Sequence, residues 1–170
     1  SLNGGQPTVV DTLVANGMPD MFSICFSNTG GYLVMGGVND SLKTGDFEYT
    51  SIVQQDYYRV SIDSISSDDS TIGTSSNWNM AIVDSGTTLL VLPTTVFDNF
   101  VNILSAYGAP SDFLNMDFCY PEADVSELPD ISFTFPKVGG GTFTLTLNAS
   151  QYTMPCEVDG YRLFAVVSTS

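Results

Sequence analysis

Apolar residues recur at every second position in Phe22-Ile24-Phe26, Tyr58-Val60-Ile62 and Phe143-Leu145-Leu147, the period of a half-buried β-strand. Further extended candidates lie at 32–35, 47–53, 80–84, 131–135 and 161–167. Gly, Asn, Asp and Ser separate these runs, as at Gly30-Gly31, Gly36-Gly37 and Gly139-Gly140-Gly141. Two stretches follow the helical period instead. Thr8 is suited to cap a short helix with Val10, Leu13 and Val14 on one face, stopped by Gly17. A longer helix is expected after Pro93, carrying Phe97, Phe100, Val101, Leu104 and Tyr107 and ending at Gly108 and Pro110. Residues 66–79 are polar and aperiodic, which predicts an exposed loop. The pattern as a whole predicts one mainly β domain over residues 1–170, with a few short helices and neither an internal repeat nor a linker.

Composition narrows the chemistry. Hydrophobic residues make up 43% of the chain, enough to build a core rather than a disordered segment. No apolar run approaches the roughly 18 residues that span a bilayer. The chain opens Ser1-Leu2-Asn3-Gly4-Gly5, without the basic start and apolar stretch of a leader. Nineteen acidic residues face four basic ones, Lys43, Arg59, Lys137 and Arg162, for a net charge of −15. Such a chain has no basic stripe for nucleic acid and nothing to attract it to an anionic membrane surface. The charge suits work in acid, where carboxylates begin to protonate and self-repulsion fades, and equally suits plain solubility at neutral pH. Histidine is absent, so neither a Ser-His-Asp nor a Cys-His nucleophile can be assembled, and a His-based zinc site is excluded. The three cysteines lack zinc-finger spacing, and no phosphate-binding glycine loop is present. No cofactor and no metal are expected, so any chemistry must run on carboxylates and hydroxyls.

Cys119 and Cys156 flank two strand candidates, and a disulfide between them would close that excursion. Cys25 alternates with apolar neighbours and shares a face with Ser23 and Ser27. It fits a small half-buried residue, or a bond to a segment outside this sequence. Asn39-Asp40-Ser41 and Asn148-Ala149-Ser150 are N-glycosylation sequons. With the cysteines they point to the secretory pathway, either secretion or a lysosomal or vacuolar destination.

The chemistry concentrates in Met80-Ala81-Ile82-Val83-Asp84-Ser85-Gly86-Thr87-Thr88-Leu89-Leu90, where an apolar strand runs into Asp-Ser-Gly-Thr and out into another apolar run. Asp-[Ser/Thr]-Gly-[Ser/Thr] arises by chance in about one chain in a hundred of this length. A carboxylate directly after a strand is fixed in place, Gly86 lets backbone approach it, and neighbouring N–H and hydroxyl groups can hold it ionised. Thr87 can direct its hydroxyl at backbone across a pseudo-symmetric interface. The competing reading is an ordinary Asp-x-Gly hairpin turn, which the apolar flanks disfavour.

With these residues in view, the chain resembles the C-terminal half of pepsin-like (A1) aspartic proteases over nearly its whole length. The segment from Pro7 to Phe22 looks like the crossing between lobes, and Gly30-Gly31-Tyr32-Leu33-Val34-Met35-Gly36-Gly37-Val38-Asn39 is similar to the family's Gly-Gly strand and turn. The pair of strands at Phe47 to Val53 and Tyr57 to Ile65, the motif at Ala81 to Pro93, and Cys119 followed by Leu128-Pro129-Asp130-Ile131-Ser132-Phe133-Thr134-Phe135 continue the likeness. The resemblance implies one lobe of the pepsin-like acid protease fold and an aspartic endopeptidase hydrolysing polypeptide substrates at acid pH. In it, Asp84 is the second catalytic aspartate, Ser85 and Gly86 hydrogen-bond around it, and Thr87 forms the inter-lobe grip. Thr88, Ile82 and Tyr57 line substrate subsites, and Cys119 pairs with Cys156. Implied partners are the N-terminal lobe of the same enzyme and pepstatin-type inhibitors. Where the family has two Asp-[Ser/Thr]-Gly motifs this sequence carries one, and it stops at Ser170 before the family's final strand. The chain is therefore expected to be an incomplete lobe, inactive alone. The alternative is a pepsin-fold protein that binds without cutting, and an intact Asp84-Ser85-Gly86-Thr87 favours the enzyme. A self-paired half-size enzyme of the retroviral kind is disfavoured by length.

Overall fold

The computed structural model describes residues 7–27, 29–78 and 80–169. The chain forms two compact units, Ser1–Glu48 and Tyr49–Ser170.

In the first unit, α1 (Val9–Ala15) begins with a reciprocal cap: the Asp11 N–H donates to the Thr8 hydroxyl at 3.1 Å, and the Thr8 N–H donates to the Asp11 carboxylate at 2.6 Å. Its end is fixed by Gly17 at φ 97°, with the Met18 N–H reaching the Leu13 carbonyl and the Gly17 N–H the Val14 carbonyl. That pair of bonds needs a left-handed residue, which glycine adopts without penalty. Of the expected helical face, Val10 and Val14 are half-buried and Leu13 is exposed. Strands β1 (Phe22–Ser27) and β2 (Gly30–Met35) pair antiparallel from Phe22↔Met35 to Ser27↔Gly30. Cys25 is half-buried on β1 with a free thiol. A 3₁₀ turn, Asp40–Leu42, follows, capped by the Asn39 side chain.

The second unit contains, in chain order, β3 (Ile52–Gln54), β4 (Arg59–Val60), β5 (Ser64–Ser67), β6 (Ser70–Thr74), β7 (Ala81–Ile82), β8 (Leu90–Leu92), α2 (Thr94–Ala106), α3 (Ser111–Leu114), β9 (Tyr120–Pro121), α4 (Glu122–Val125), β10 (Ile131–Pro136), β11 (Thr142–Leu147), β12 (Thr153–Pro155), β13 (Tyr161–Phe164) and β14 (Val166–Ser168). The strands make an antiparallel sheet of order β11-β10-β5-β6, two three-stranded sheets β12-β13-β9 and β3-β4-β7, and a parallel pair β14-β8. The architecture is mainly β with short helices, as expected from the sequence. The extended candidate at 161–167 is in fact two strands broken at Ala165: β13 pairs antiparallel with β12 and β9, whereas β14 turns to run parallel with β8. The candidates at 47–53 and 80–84 shorten to β3 and β7.

Residues 66–78 are not the loop that the polarity of 66–79 predicts, and Asn79 lies outside the described residues. Most of the stretch belongs to the β5–β6 hairpin, turned through Asp68 and Asp69, whose φ values are 49° and 57°. Positive φ at both central residues defines a tight hairpin turn that Asp tolerates better than most residues. Ile65 and Ile72 enter the core, and the buried Ser67 hydroxyl donates to the Asp130 carbonyl at 2.8 Å.

The core is organised by α2. Val96, Phe100 and Leu104, spaced at i, i+4 and i+8, are fully buried. Tyr107, at the end of this helix, is exposed and donates its hydroxyl to Asp68 at 2.6 Å. Phe100 meets Tyr152 edge-on at 5.3 Å, and Phe164 packs on Phe113 at 5.6 Å. Burial pushes the Tyr152 phenol well above its usual range, and its hydroxyl donates to the Pro129 carbonyl at 2.8 Å. Cys119 and Cys156 form a disulfide, with Cα atoms 6.3 Å apart.

A Cβ at Gly73 would lie 2.6 Å from Val96 Cγ2 and 2.8 Å from Trp78 Cζ3. Gly73 is buried on β6 against α2, and the Trp78 indole is tethered to the Ile62 carbonyl at 3.0 Å, so neither neighbour yields freely. Gly73→Ala is expected to destabilise the protein by about 1–3 kcal/mol, as overpacked cores do, read as a lower midpoint in urea unfolding. An unchanged midpoint would show that α2 shifts without cost.

Candidate active-site loop

Residues 83–89 link β7 to β8, and each end of the link is anchored separately. On the entry side, Val60↔Ala81 and Arg59↔Ile82 pair, and the Val83 N–H donates to the Tyr58 carbonyl at 2.9 Å. On the exit side, the Leu90 N–H donates to the Ala165 carbonyl at 2.9 Å, where β8 begins its parallel pairing with β14. Between these anchors Asp84 is exposed.

Its carboxylate is held by its own loop. Oδ1 accepts the Gly86 N–H at 2.9 Å, and Oδ2 accepts the Thr87 hydroxyl at 2.7 Å. A Cβ at Gly86 would stand 3.2 Å from Asp84 Oδ1, tighter than ordinary contact. What glycine offers here is space beside the carboxylate and not an unusual φ, since Gly86 is absent from the positive-φ set. Among the described residues, the Ser85 hydroxyl makes no bond to this carboxylate. The sequence aimed the Thr87 hydroxyl at backbone across an interface between lobes; within this chain, which has one such motif, it donates to Asp84. The Thr87 hydroxyl and then the Gly86 N–H lower the Asp84 pKa below the ordinary aspartate value of 3.8, with partial desolvation opposing them.

The remaining site residues lie along the entry side. Ile82 is on β7 and 46% exposed, whereas Val60 of the neighbouring pair is 6% exposed, so the ladder has one open face and one core face. Tyr57 stands in the turn before β4 and is 52% exposed. Thr88 is exposed on the loop. Two polar residues beside them escaped the sequence reading. Arg59 lies directly opposite Ile82, and its Nε donates to Asp56 Oδ1 at 2.7 Å. One of four cations in the chain gives no sign of its role; only the register puts Arg59 on the open face. Among the described residues no group of acidic or sulfur side chains is arranged to hold a metal ion, and no helix is long and apolar enough to cross a membrane.

The lowered pKa has a definite consequence. Because the folded carboxylate binds protons less readily than the unfolded one, ionised Asp84 stabilises the fold above the unfolded pKa, and this contribution is lost as pH falls through the lower folded value. Replacing Thr87 by Val removes the main cause, so the Asp84 titration midpoint, followed by carbon-detected NMR of its carboxyl, is expected to rise towards the ordinary aspartate value. An unmoved midpoint would show that Thr87 does not hold the charge.

The family model described as eukaryotic aspartyl protease matches residues 2–167. Pepsin A of Sus scrofa is 34% identical over 139 residues, covering 79% of this chain and 34% of its own length. Gastricsin of Cavia porcellus is 29% identical over 152 residues, covering 86% and 37%. Pepsin II-2/3 of Oryctolagus cuniculus is 31% identical over 139 residues, covering 80% and 32%. The chain thus spans about a third of the length of these relatives. The matched region takes in nearly all of both units and the Asp84 loop, and on that footing the chain belongs to the pepsin-like eukaryotic aspartyl protease family.

Proposed function

We propose that this chain supplies the second aspartate, Asp84, of an aspartic endopeptidase that cuts polypeptide substrates in acid. The observation that supports this most directly is the Asp84 carboxylate itself: exposed, and held with one donor on each oxygen by Gly86 and Thr87. A lone aspartate hydrolyses amides poorly. Two facing carboxylates share one proton; the ionised one takes a proton from water and the protonated one polarises the scissile carbonyl. The partner aspartate would come from an N-terminal lobe of the same enzyme, and no metal or cofactor takes part. Substrate would lie extended past Ile82, Tyr57 and Thr88, with apolar side chains in the central positions, and pepstatin-type inhibitors would occupy the same path. Ser85, which makes no bond to Asp84, keeps a place in the loop as active-site support.

A route through the secretory pathway, to the exterior or to a lysosome or vacuole, agrees with the Cys119–Cys156 disulfide. The asparagine and serine of both sequons are exposed, and in each the serine hydroxyl donates to the asparagine carboxamide at 2.7 Å, Ser41 to Asn39 and Ser150 to Asn148.

The test is cleavage of a denatured protein at pH 3–5 by the full-length product, with and without pepstatin, beside Asp84→Asn. Wild-type activity abolished by pepstatin is expected, with Asp84→Asn reducing kcat by about 10²–10⁴-fold, the range for loss of a general acid–base group. A folded, fully processed protein without activity across that range would make the chain part of a non-catalytic pepsin-fold binder.

A further inference from the structure

Asp56, Tyr57 and Arg59 form a closed set at the open end of the β4–β7 ladder. The Arg59 N–H donates to the Tyr57 carbonyl at 2.9 Å, closing a tight turn around Tyr58. Asp56 Oδ1 accepts both the Tyr57 N–H at 2.8 Å and Arg59 Nε at 2.7 Å, while Oδ2 accepts Gln54 Nε2 at 3.1 Å. The guanidinium carbon then sits 5.2 Å from the centroid of the Tyr57 ring, within the range of a cation–π contact. Arg59 and Ile82 are directly opposed in the ladder, so their side chains share a face. The guanidinium that meets the ring therefore stems from the residue opposite Ile82, two residues before Asp84. The Arg59 and Asp56 side chains are only 24% and 35% exposed, so the pair is sheltered more than a typical surface ion pair.

We propose that the Asp56–Arg59 pair is a positioning device for Tyr57, fixing its ring beside the substrate path so that how well a flat apolar side chain is received there depends on this pair. This rests on the endopeptidase reading for its substrate and on the geometry alone for the positioning. The pair cancels its own charge, so it offers an acidic substrate side chain no free cation. Nor does Arg59 set the Asp84 charge, which Thr87 and Gly86 do. What remains for a paired, stacked guanidinium at this place is to fix a ring that would otherwise rotate freely on an exposed turn. Arginine is specific to the task, since its planar fork bonds and stacks at once, whereas an ammonium is a point charge.

The experiment uses the full-length enzyme and two fluorogenic peptides that differ only in one central residue, Phe or Ala. Arg59→Met and Asp56→Asn are each expected to lower kcat/KM for the Phe peptide by about 2- to 5-fold, the size of an exposed cation–π contact, through KM rather than kcat. The Ala peptide should be unaffected, and Arg59→Lys should not restore the preference. Equal losses on both peptides, a loss in kcat alone, or no loss at all would overturn the proposal. In parallel, the ring resonances of Tyr57 are compared by NMR in wild type and Asp56→Asn. A shift is expected as the stacked guanidinium is released, and an unchanged ring would overturn the positioning irrespective of turnover. If wild type cuts neither peptide and pepstatin does not bind, the endopeptidase reading falls while the ring measurement still decides the positioning.

Discussion

A carboxylate on an exposed loop keeps its place only if the chain on both sides is tied to something else. Here the loop 83–89 is short and its two ends belong to different sheets: β7 enters from the β3-β4-β7 ladder, and β8 leaves in parallel register with β14. The two ladders in turn depend on the core that fills behind them. Val60 and Leu92 are buried in the same apolar cluster as Val96 and Phe100 of α2, with Leu90 packed against it. Loosening that cluster would let the two ends drift and with them Asp84, which is why a residue as far from the loop as Gly73 matters to it.

Three aspartates share one local device. Asp11 accepts bonds from Thr8, Asp56 from Tyr57 and Arg59, and Asp84 from Gly86 and Thr87, and in each the bonds lower the pKa. The carboxylate acts as a short strut inside its own turn, stiff only while ionised. By linkage, each strut stabilises the fold above the unfolded aspartate pKa and is lost as pH drops through its folded value. Against this, nineteen acidic residues facing four basic ones repel one another at neutral pH. The strut carboxylates are the ones with lowered pKa values, so they keep their charge to lower pH than an ordinary aspartate. The turns they brace are supported over that same range.

Much of this was legible in the sequence where local chemistry and burial agree. Asp84-Ser85-Gly86-Thr87 between two apolar runs announced a fixed carboxylate, Thr8 and Gly17 bounded α1, and the extended candidate at 131–135 and the alternation of Phe143-Leu145-Leu147 match β10 and β11. The hairpin at 64–74 was hidden because its inward residues include Gly73 and Ser67, which no hydropathy pattern marks as core; Ser67 is tolerated there only by a bond to Asp130, remote in sequence. Helical spacing alone did not say which of the residues carried by α2 are buried: Tyr107 is exposed at its end, where its hydroxyl donates to Asp68. Arg59 was invisible for another reason. Its significance lies in being opposite Ile82, and register is a property of paired strands that a single strand's residues do not state.

On the proposed reading, the lowered Asp84 pKa also says what the other half must do. Thr87 and Gly86 favour the ionised form of Asp84 within this chain alone, so the loop prepares a base and not an acid. A dyad needs a proton as well, and two carboxylates at close range titrate as a pair whose apparent pKa values belong to neither alone. Bringing a second carboxylate close would force one proton to remain bound over a range where an isolated aspartate would have lost it. The donors on Asp84 would then bias which side of the pair carries the charge. On that reading the hydrogen bonds seen in this chain would tune an asymmetry that has meaning only once a second carboxylate is present, and the acid of the pair would arise from joining Asp84 to it.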